Sequence, residues 1–500
     1  MSTRMNVIWV FGDQLNRRIG ALREATPSTH RVLLIESEQK IASRKWHVQR
    51  AHFIIASMRR FAKELTDEGF EVDYRFAKTM RSGLEAHMAD FQPGEVVATE
   101  PNSYSAREML KNMPVRREKS DQFLCHPDAY REFMGARKTV KMEDFYRWQR
   151  KRLSVLMDGD VPVAGRWNFD EDNRQPPPKT DHDRWPQPDS VPLDALDQQV
   201  LADVAPYTWG AAPTGLWATS RSGALARLKK FVTEVLPMFG EHEDAMLKSN
   251  WHLAHSLLSP YLNNGLLLPG EVVDAVVAEF EKGKVPINSA EGFLRQVIGW
   301  REYIWNCYWQ WMPDYAQMNV LSAEIPLPKL FTAPEKTQMA CMKSVLKGVY
   351  EHSYAHHIER LMVLGNFSLI AGVNPQELTQ WMWNSFVDAA EWVMVPNVVG
   401  MSQYADGGML ATKPYASGGA YIDRMSNHCK GCAYDRKKRV GADACPFTVL
   451  YWDFFLRHDE KFVKNPRVAR QVRAAQQLAD RDELQATAVT ILQRLQSGEL

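Results

Sequence analysis

Arg174 to Pro192 reads RQPPPKTDHDRWPQPDSVP. Proline fixes φ and lacks an amide hydrogen, so it is excluded from helix interiors and central strands. A run this rich in it predicts an extended connection over the surface between two folded parts. The flanking sequences follow different periodicities. Before it, short apolar runs at Val7–Phe11, Val32–Ile35, Val72–Phe76 and Val96–Thr99 predict strands. Between the second and third, Ala51, Ile54, Ile55, Met58, Phe61, Ala62 and Leu65 recur at helical spacing, and Gly69 stops the helix. Such alternation predicts a parallel sheet covered by helices, with ligands beyond the carboxyl ends of its strands. Gly12-Asp13-Gln14 is at such an end. From about residue 195 the pattern is helical to the end, without a β-rich block or an internal repeat. The tail, 465–500, is polar and helix-prone and is expected to pack late or to fray. The predicted division is an α/β domain over 1–135, a proline-rich interdomain linker over 136–195 and an all-helical domain over 196–500.

A chain of 500 residues exceeds one core, which agrees with two domains. No apolar run approaches the roughly 18 residues of a membrane span. The N-terminus has no long apolar segment or small-residue cleavage site, so a cytoplasmic protein is expected. The net charge of +1 leaves nucleic-acid binding to local patches. Six cysteines are too few for a disulfide scaffold, and clustered cysteines in a reducing compartment point to metal.

Four of them stand out. Cys429 and Cys432 form a CxxC, Cys445 follows with Pro446 behind it, and Cys341 lies upstream. Four thiolates suit zinc or an iron–sulfur cubane equally; the plainer reading is buried free thiols. Cys125 and Cys307 stand alone and read as core. In HSLLSPYL, His255, Ser256, Leu257, Leu258 and Ser259 lead into a helix. Short hydroxyls beside free helix N–H groups suit a phosphate, although Ser259-Pro260 is also an ordinary helix start. His356 and His357 point to different sides of a predicted helix, so one can face a cavity while the other packs. Trp381 and Trp383 precede Asp388. Aromatics at this spacing normally belong to a core and relay electrons only beside a redox centre. Arg436-Lys437-Lys438-Arg439 is either a solvated face or a contact for phosphates.

Together these segments resemble the photolyase/cryptochrome superfamily, in its bacterial iron–sulfur, (6-4) photolyase-like branch. SLLSPYLNNG is similar to its flavin pyrophosphate segment, GWREY (299–303) to its Trp-Arg-Glu-aromatic motif, and HHIERLM to the helix under the flavin. GRWNFD (165–170), GMSQYADGG (400–408) and KPYASGGAYIDRMS (413–426) resemble the iron–sulfur branch. The resemblance implies an N-terminal Rossmann-like α/β antenna domain and an all-α domain binding FAD. It assigns FAD contacts to His255, Ser256, Leu257, Leu258, Ser259, Asn263, Arg301, Arg360, Asp388 and Asn397, with Arg360 and Asp388 as an ion pair beside the flavin. It places Trp300, Tyr303 and Tyr415 in a lesion cavity, makes Trp381 and Trp383 electron carriers, and tips the four cysteines to a [4Fe–4S] cluster. A 6,7-dimethyl-8-ribityllumazine antenna is implied near Asp13, Gln14 and Glu36, where Lys40 and Ser43 replace a Glu and a Tyr.

The implied activity is light-driven repair of (6-4) photoproducts in UV-damaged DNA by a monomer, with His357 as the catalytic proton donor and His356 beside it. Cyclobutane-dimer enzymes usually have asparagine at the position of His357. The implied alternative is a cryptochrome-like blue-light photoreceptor. The chain departs from the family pattern at Ala333 and Met382, where other members carry Trp and Tyr and the usual electron route runs, and at Met394, where they carry Glu.

Overall fold

The computed structural model describes residues 4–500; residues 1–3, part of the N-terminal reading, lie outside them. Strands β1 (Asn6–Trp9), β2 (His30–Ser37), β3 (Glu71–Ala77), β4 (Val96–Thr99) and β5 (Arg116–Glu118) form one parallel sheet in the order β3-β2-β1-β4-β5. The two-residue period of a strand sorts its side chains. Val7, Trp9, Leu33 and Ala98 meet Leu84 and Leu110 of the helices Met80–Phe91 and Tyr104–Lys111. Ile8, Val32, Leu34 and Val97 face the other way, onto the helix Val48–Asp67, and share a core with Phe231, Leu258 and Leu294 of the helical part. Because both faces are covered, the inner strands read as continuous apolar runs. The predicted helix extends a few residues beyond its periodic core. His47 caps it by accepting from Gln49 N, and Gly69, with φ of 94°, turns the chain after it.

The helical part departs from expectation in three ways. A two-residue strand, Thr208–Trp209, pairs with Trp46–His47 and joins the two parts, a feature too short for periodicity to show. The proline-rich run is not wholly superficial, because Trp185 is buried and meets His242 edge-on. Within 136–195 the helix Met142–Leu153 buries Phe145, Tyr146, Gln149 and Arg150. The tail does not fray: Val472, Leu484, Ala488, Ile491 and Leu495 are buried in the main helical core, because the apolar face of Arg481–Ser497 lies against Pro446–Arg457.

Charged side chains also cross between the parts. Arg50 is buried and its Nη1 donates to the carbonyls of Phe386 (3.1 Å) and Val387 (3.4 Å). Burial lowers it to about 10, so it stays protonated at neutral pH. Gln49 Nε2 donates to Glu351 O at 2.6 Å. Hydrogen bonds from a charged donor are worth about 1.5–3 kcal/mol each. Arg50→Met, which keeps most of the stem, is therefore expected to lower stability by about 1.5–3 kcal/mol. A urea titration should show a lower midpoint at unchanged slope, and an unshifted midpoint would remove Arg50 from the bonds joining the two parts.

Candidate active site

Among the described residues four stretches of the C-terminal part widen into π turns, and three of them, Arg295–Arg301, Glu359–Gly365 and Pro396–Ser402, surround one site. Such turns free backbone groups and swing side chains out of helical register, and they often mark functional sites. Each of these three supplies walls to one cavity of about 300 Å³: Trp300 and Arg301 from the first, Arg360 and Leu361 from the second, Asn397 and Val398 from the third.

Asp388 is the hub of one wall. Arg360 grips it through both terminal nitrogens (Nη1–Oδ1 3.0 Å, Nη2–Oδ2 3.1 Å). Ser259 Oγ donates to Oδ2 at 2.7 Å, and Asn263 Nδ2 donates to the Asp388 carbonyl at 2.8 Å. Paired forks of this kind are strong and directional. The preceding turn places Leu257 at φ of 56°. His255 and Ser256 then face the cavity while Leu257 and Leu258 enter the core. Asn397 also lines the cavity and donates to Val393 O at 2.7 Å.

His357 lines the cavity and is exposed, whereas its neighbours Ala355, His356 and Ile358 are buried. Burial pushes it down to about 4, with Arg360 acting in the same sense, so it is neutral at pH 7. His356 turns away, is wholly buried and stacks on the His255 ring at 4.3 Å and 14°. Burial lowers His255 to about 3, the charge of His357 adding to it.

Other residues read from the sequence are placed elsewhere. Tyr303 is buried behind the wall, its hydroxyl donating to Val140 O at 2.6 Å. Tyr415 stands outside the lining, near Lys413, Arg174 and Arg467. Trp381 meets Phe331 and Phe386 rather than the cavity, whereas Met382 faces it. Trp383 lies under the Arg44 guanidinium at 4.1 Å. In the α/β part Glu36 is occupied, taking both arms of Arg59 (2.8 and 3.0 Å) and the Tyr74 hydroxyl. Gln14 donates to Glu100 O at 2.7 Å. Burial raises Asp13, against the pull of Lys40. Of the basic run, Arg436 pairs with Asp423, Lys438 with Asp443 and Arg439 with Asp480, so most of its charge is spent within the chain.

Sequence reasoning missed Glu243 and Asp244, which line the same cavity. Burial raises Glu243 well above the usual carboxyl range, and Asp244 and Asp170 add to it. Burial lifts Asp244 to about 6 against the pull of Arg174. The only sequence signal is the acidic EHED run at 241–244, which reads as a surface turn.

Cys341, Cys429, Cys432 and Cys445 line a second, small cavity and form no disulfide. Burial raises the Cys341 thiol first, and the other three cysteines raise it further. Among the described residues, no three His, Cys, Asp or Glu side chains stand close enough to hold a single metal ion. A Cβ on Gly419 would come within 3.1 Å of Cys445 Sγ, so glycine keeps space open beside that sulfur.

The family of deoxyribodipyrimidine photo-lyase-related proteins matches residues 8–213. A (6-4) photolyase of Agrobacterium fabrum is 38% identical over 506 aligned residues, covering 98% of this chain and 99% of that protein. In fold, the chain is similar to a bacterial class III photolyase from Agrobacterium tumefaciens, with TM-score 0.58, 15% identity and coverage of 99% and 98% of the two chains. It is also similar to a Synechocystis cryptochrome, with TM-score 0.53, 12% identity and coverage of 94% and 88%. The chain belongs to the photolyase/cryptochrome family. The family implies FAD, and the cavity fits it: His255 Nε2 and Arg301 Nε are buried without a protein partner in residues that line it.

Removing one member of a buried ion pair leaves the other charge unpaired, at about 3–5 kcal/mol. Asp388→Ala should therefore unfold more easily by about that amount and lose FAD. Thermal melting and the flavin absorbance per protein check both, and full FAD retention would displace Asp388 from the hub.

Proposed function

We propose that this chain repairs (6-4) photoproducts in DNA under light, with FAD in the cavity beside Asp388, and that its four clustered cysteines hold a [4Fe–4S] cluster. His357 carries the reading: a neutral imidazole that faces the cavity beside Arg360, in a chain whose full-length relative is a (6-4) photolyase. FAD, when bound, reduced and excited, supplies the electron that starts the repair. Ser256 and Asn263 would meet its pyrophosphate, and Arg360 with Asp388 would fix the ring side. Moving an oxygen between two bases requires a proton in transit. Protonated His357, the form that the phosphates of bound DNA favour, gives a ring proton as negative charge grows on the lesion and takes it back afterwards. A flipped-out lesion costs less to extrude than a paired base. Lys413 and Arg467 beside Tyr415 offer phosphate contacts, whereas most of the run 436–439 is paired within the chain.

The test is turnover of a (6-4)-containing oligonucleotide in blue light. Repair of cyclobutane dimers alone would move the lesion assignment. Binding without conversion of either lesion would favour the photoreceptor. His357→Ala should still bind the lesion and repair it about 10²-fold or more slowly. The acid form of His357 grows as pH falls, and DNA phosphates pull its depressed value upward. Wild-type repair should accordingly rise as pH is lowered from 8, with its midpoint between about 4 and the ordinary 6.5, and His357→Ala should lose that rise.

Two observations support the cluster. Cys341, Cys429, Cys432 and Cys445 converge on one small cavity, with Gly419 leaving room beside Cys445. Burial raises the Cys445 thiol, and backbone N–H groups of Thr448 and Phe447, in the first turn of Pro446–Arg457, partly offset that rise from where they would meet a thiolate. Anaerobically purified protein should be brown with about four irons per chain. Cys429→Ala should lose both colour and solubility, since ligand sites form with the fold. Stoichiometric zinc without iron would overturn the assignment.

A further inference from the structure

We propose that electrons enter this protein through Trp309 and reach the flavin by way of Trp305 and Trp392, and that the outer end of this row is a basic pocket for a small anionic reductant. The proposal rests on the cavity holding FAD. Trp392 lines the cavity wall. Its ring lies 5.6 Å from Trp305 at 89°, and Trp305 lies 5.4 Å from Trp309 at 86°. Phe123 stacks flat on Trp305 at 3.7 Å and holds the row in place. The geometry follows from local structure: Trp305 and Trp309 stand one turn apart on Glu302–Trp311, and Glu391–Val395 packs Trp392 onto that helix. Aromatics at this spacing are usually only core. This row differs because it opens on a cavity at both ends. Trp305 and Trp309 also line a separate pocket of about 90 Å³ with Arg107, Arg117, Arg131 and His126.

The surroundings give the row a direction. The Arg301 guanidinium lies 5.3 Å from the Trp392 ring and disfavours a positive charge on that indole, an effect that its partner Glu302 reduces. Arg107 lies 5.1 Å from Trp309, where solvent in the outer pocket weakens the same effect. The Nε1 atoms of Trp305, Trp309 and Trp392 are all buried without a protein acceptor. An oxidised indole in this row therefore has no protein group to take its proton, and the vacancy passes outward until a donor fills it. Two carboxylates share the outer pocket: Glu100 meets His126, and Asp128 meets Lys119 and Arg131. Among the described residues no ion pair engages Arg107 or Arg117, which leaves them for an anion. The route expected at Trp381 leads instead to Phe331 and Phe386, whose rings are harder to oxidise than indole.

The electron count closes with a thiolate as donor. Light drives one electron from Trp392 to the oxidised flavin, and Trp305 and then Trp309 refill the vacancy in turn. The thiolate reduces Trp309 and leaves as a thiyl radical, and two thiyl radicals couple to a disulfide. Two passages, with protons from solvent, reduce the flavin fully.

The test is blue-light reduction of the FAD-loaded protein, followed by transient absorption of the tryptophan radical, with thioglycolate or cysteamine as donor. Trp305→Phe, at equal FAD content, should slow photoreduction by an order of magnitude or more and abolish the long-lived radical. Trp309→Phe, at a half-buried site, tests the same step should Trp305→Phe lose FAD. Arg107→Ala with Arg117→Ala should erase a preference for anionic thioglycolate over cationic cysteamine. In the dark, iodide should quench a fluorescence component that Trp309→Phe lacks. Unchanged photoreduction and radical yield in both tryptophan variants would overturn the route, and equal rates with the two thiols would overturn the donor pocket. Dithionite-reduced Trp309→Phe should repair lesions like wild type. If dithionite-reduced wild type repairs nothing, the repair reading fails while the photoreduction result still decides the route.

Discussion

The carboxylate of Asp388 joins segments that no single element could hold together. It is met by Arg360 from a π turn and by Ser259 from the helix start, and its carbonyl takes Asn263. Just before it, the carbonyls of Phe386 and Val387 accept from Arg50 of the sheet-side helix. Two arginines thus converge on the same few residues, one from each part of the molecule. Burying such charges is costly, and the arrangement is tolerated because each charge meets partners of fitting geometry. The cavity wall and the contact between the two parts share this anchor, so the placement of a ligand at Asp388 is coupled to how the parts are held.

The alternation of the sheet was plain in the sequence because both of its periodicities are local. The helices of the second part were plain as a class, but their π turns were not. A π turn adds one residue to a helical repeat, and only tertiary contacts decide whether that residue is accommodated at Arg295–Arg301 or elsewhere. His255, Ser259, Arg360 and Asp388 were legible because they sit in short motifs whose order the resemblance fixes, and Cys341, Cys429, Cys432 and Cys445 because spacing alone sets them apart. Glu243 and Asp244 were illegible. An acidic run ordinarily turns toward water, and nothing local tells that Asn173 and Gln296 receive Glu243 inside the molecule. Tyr303 illustrates the opposite failure. It lies in a motif that resemblance links to the cavity, yet its hydroxyl is claimed by Val140 O behind the wall.

The ionisation of the cavity follows one logic. His255 is held neutral by burial with His357 adding to it, His357 by burial with Arg360, and Glu243 by burial with neighbouring carboxyls. The full charges that remain are fixed by partners, as in Arg360 with Asp388 and Arg301 with Glu302. A site that receives an electron and a proton in sequence gains from this division. Anchored charges need not move when the electron moves, so little reorganisation opposes the step. Neutral acids and bases poised away from their ordinary values can then respond to the new charge by proton transfer. A single wall joins the two, because the Arg360 that holds Asp388 also adds to the burial that depresses His357.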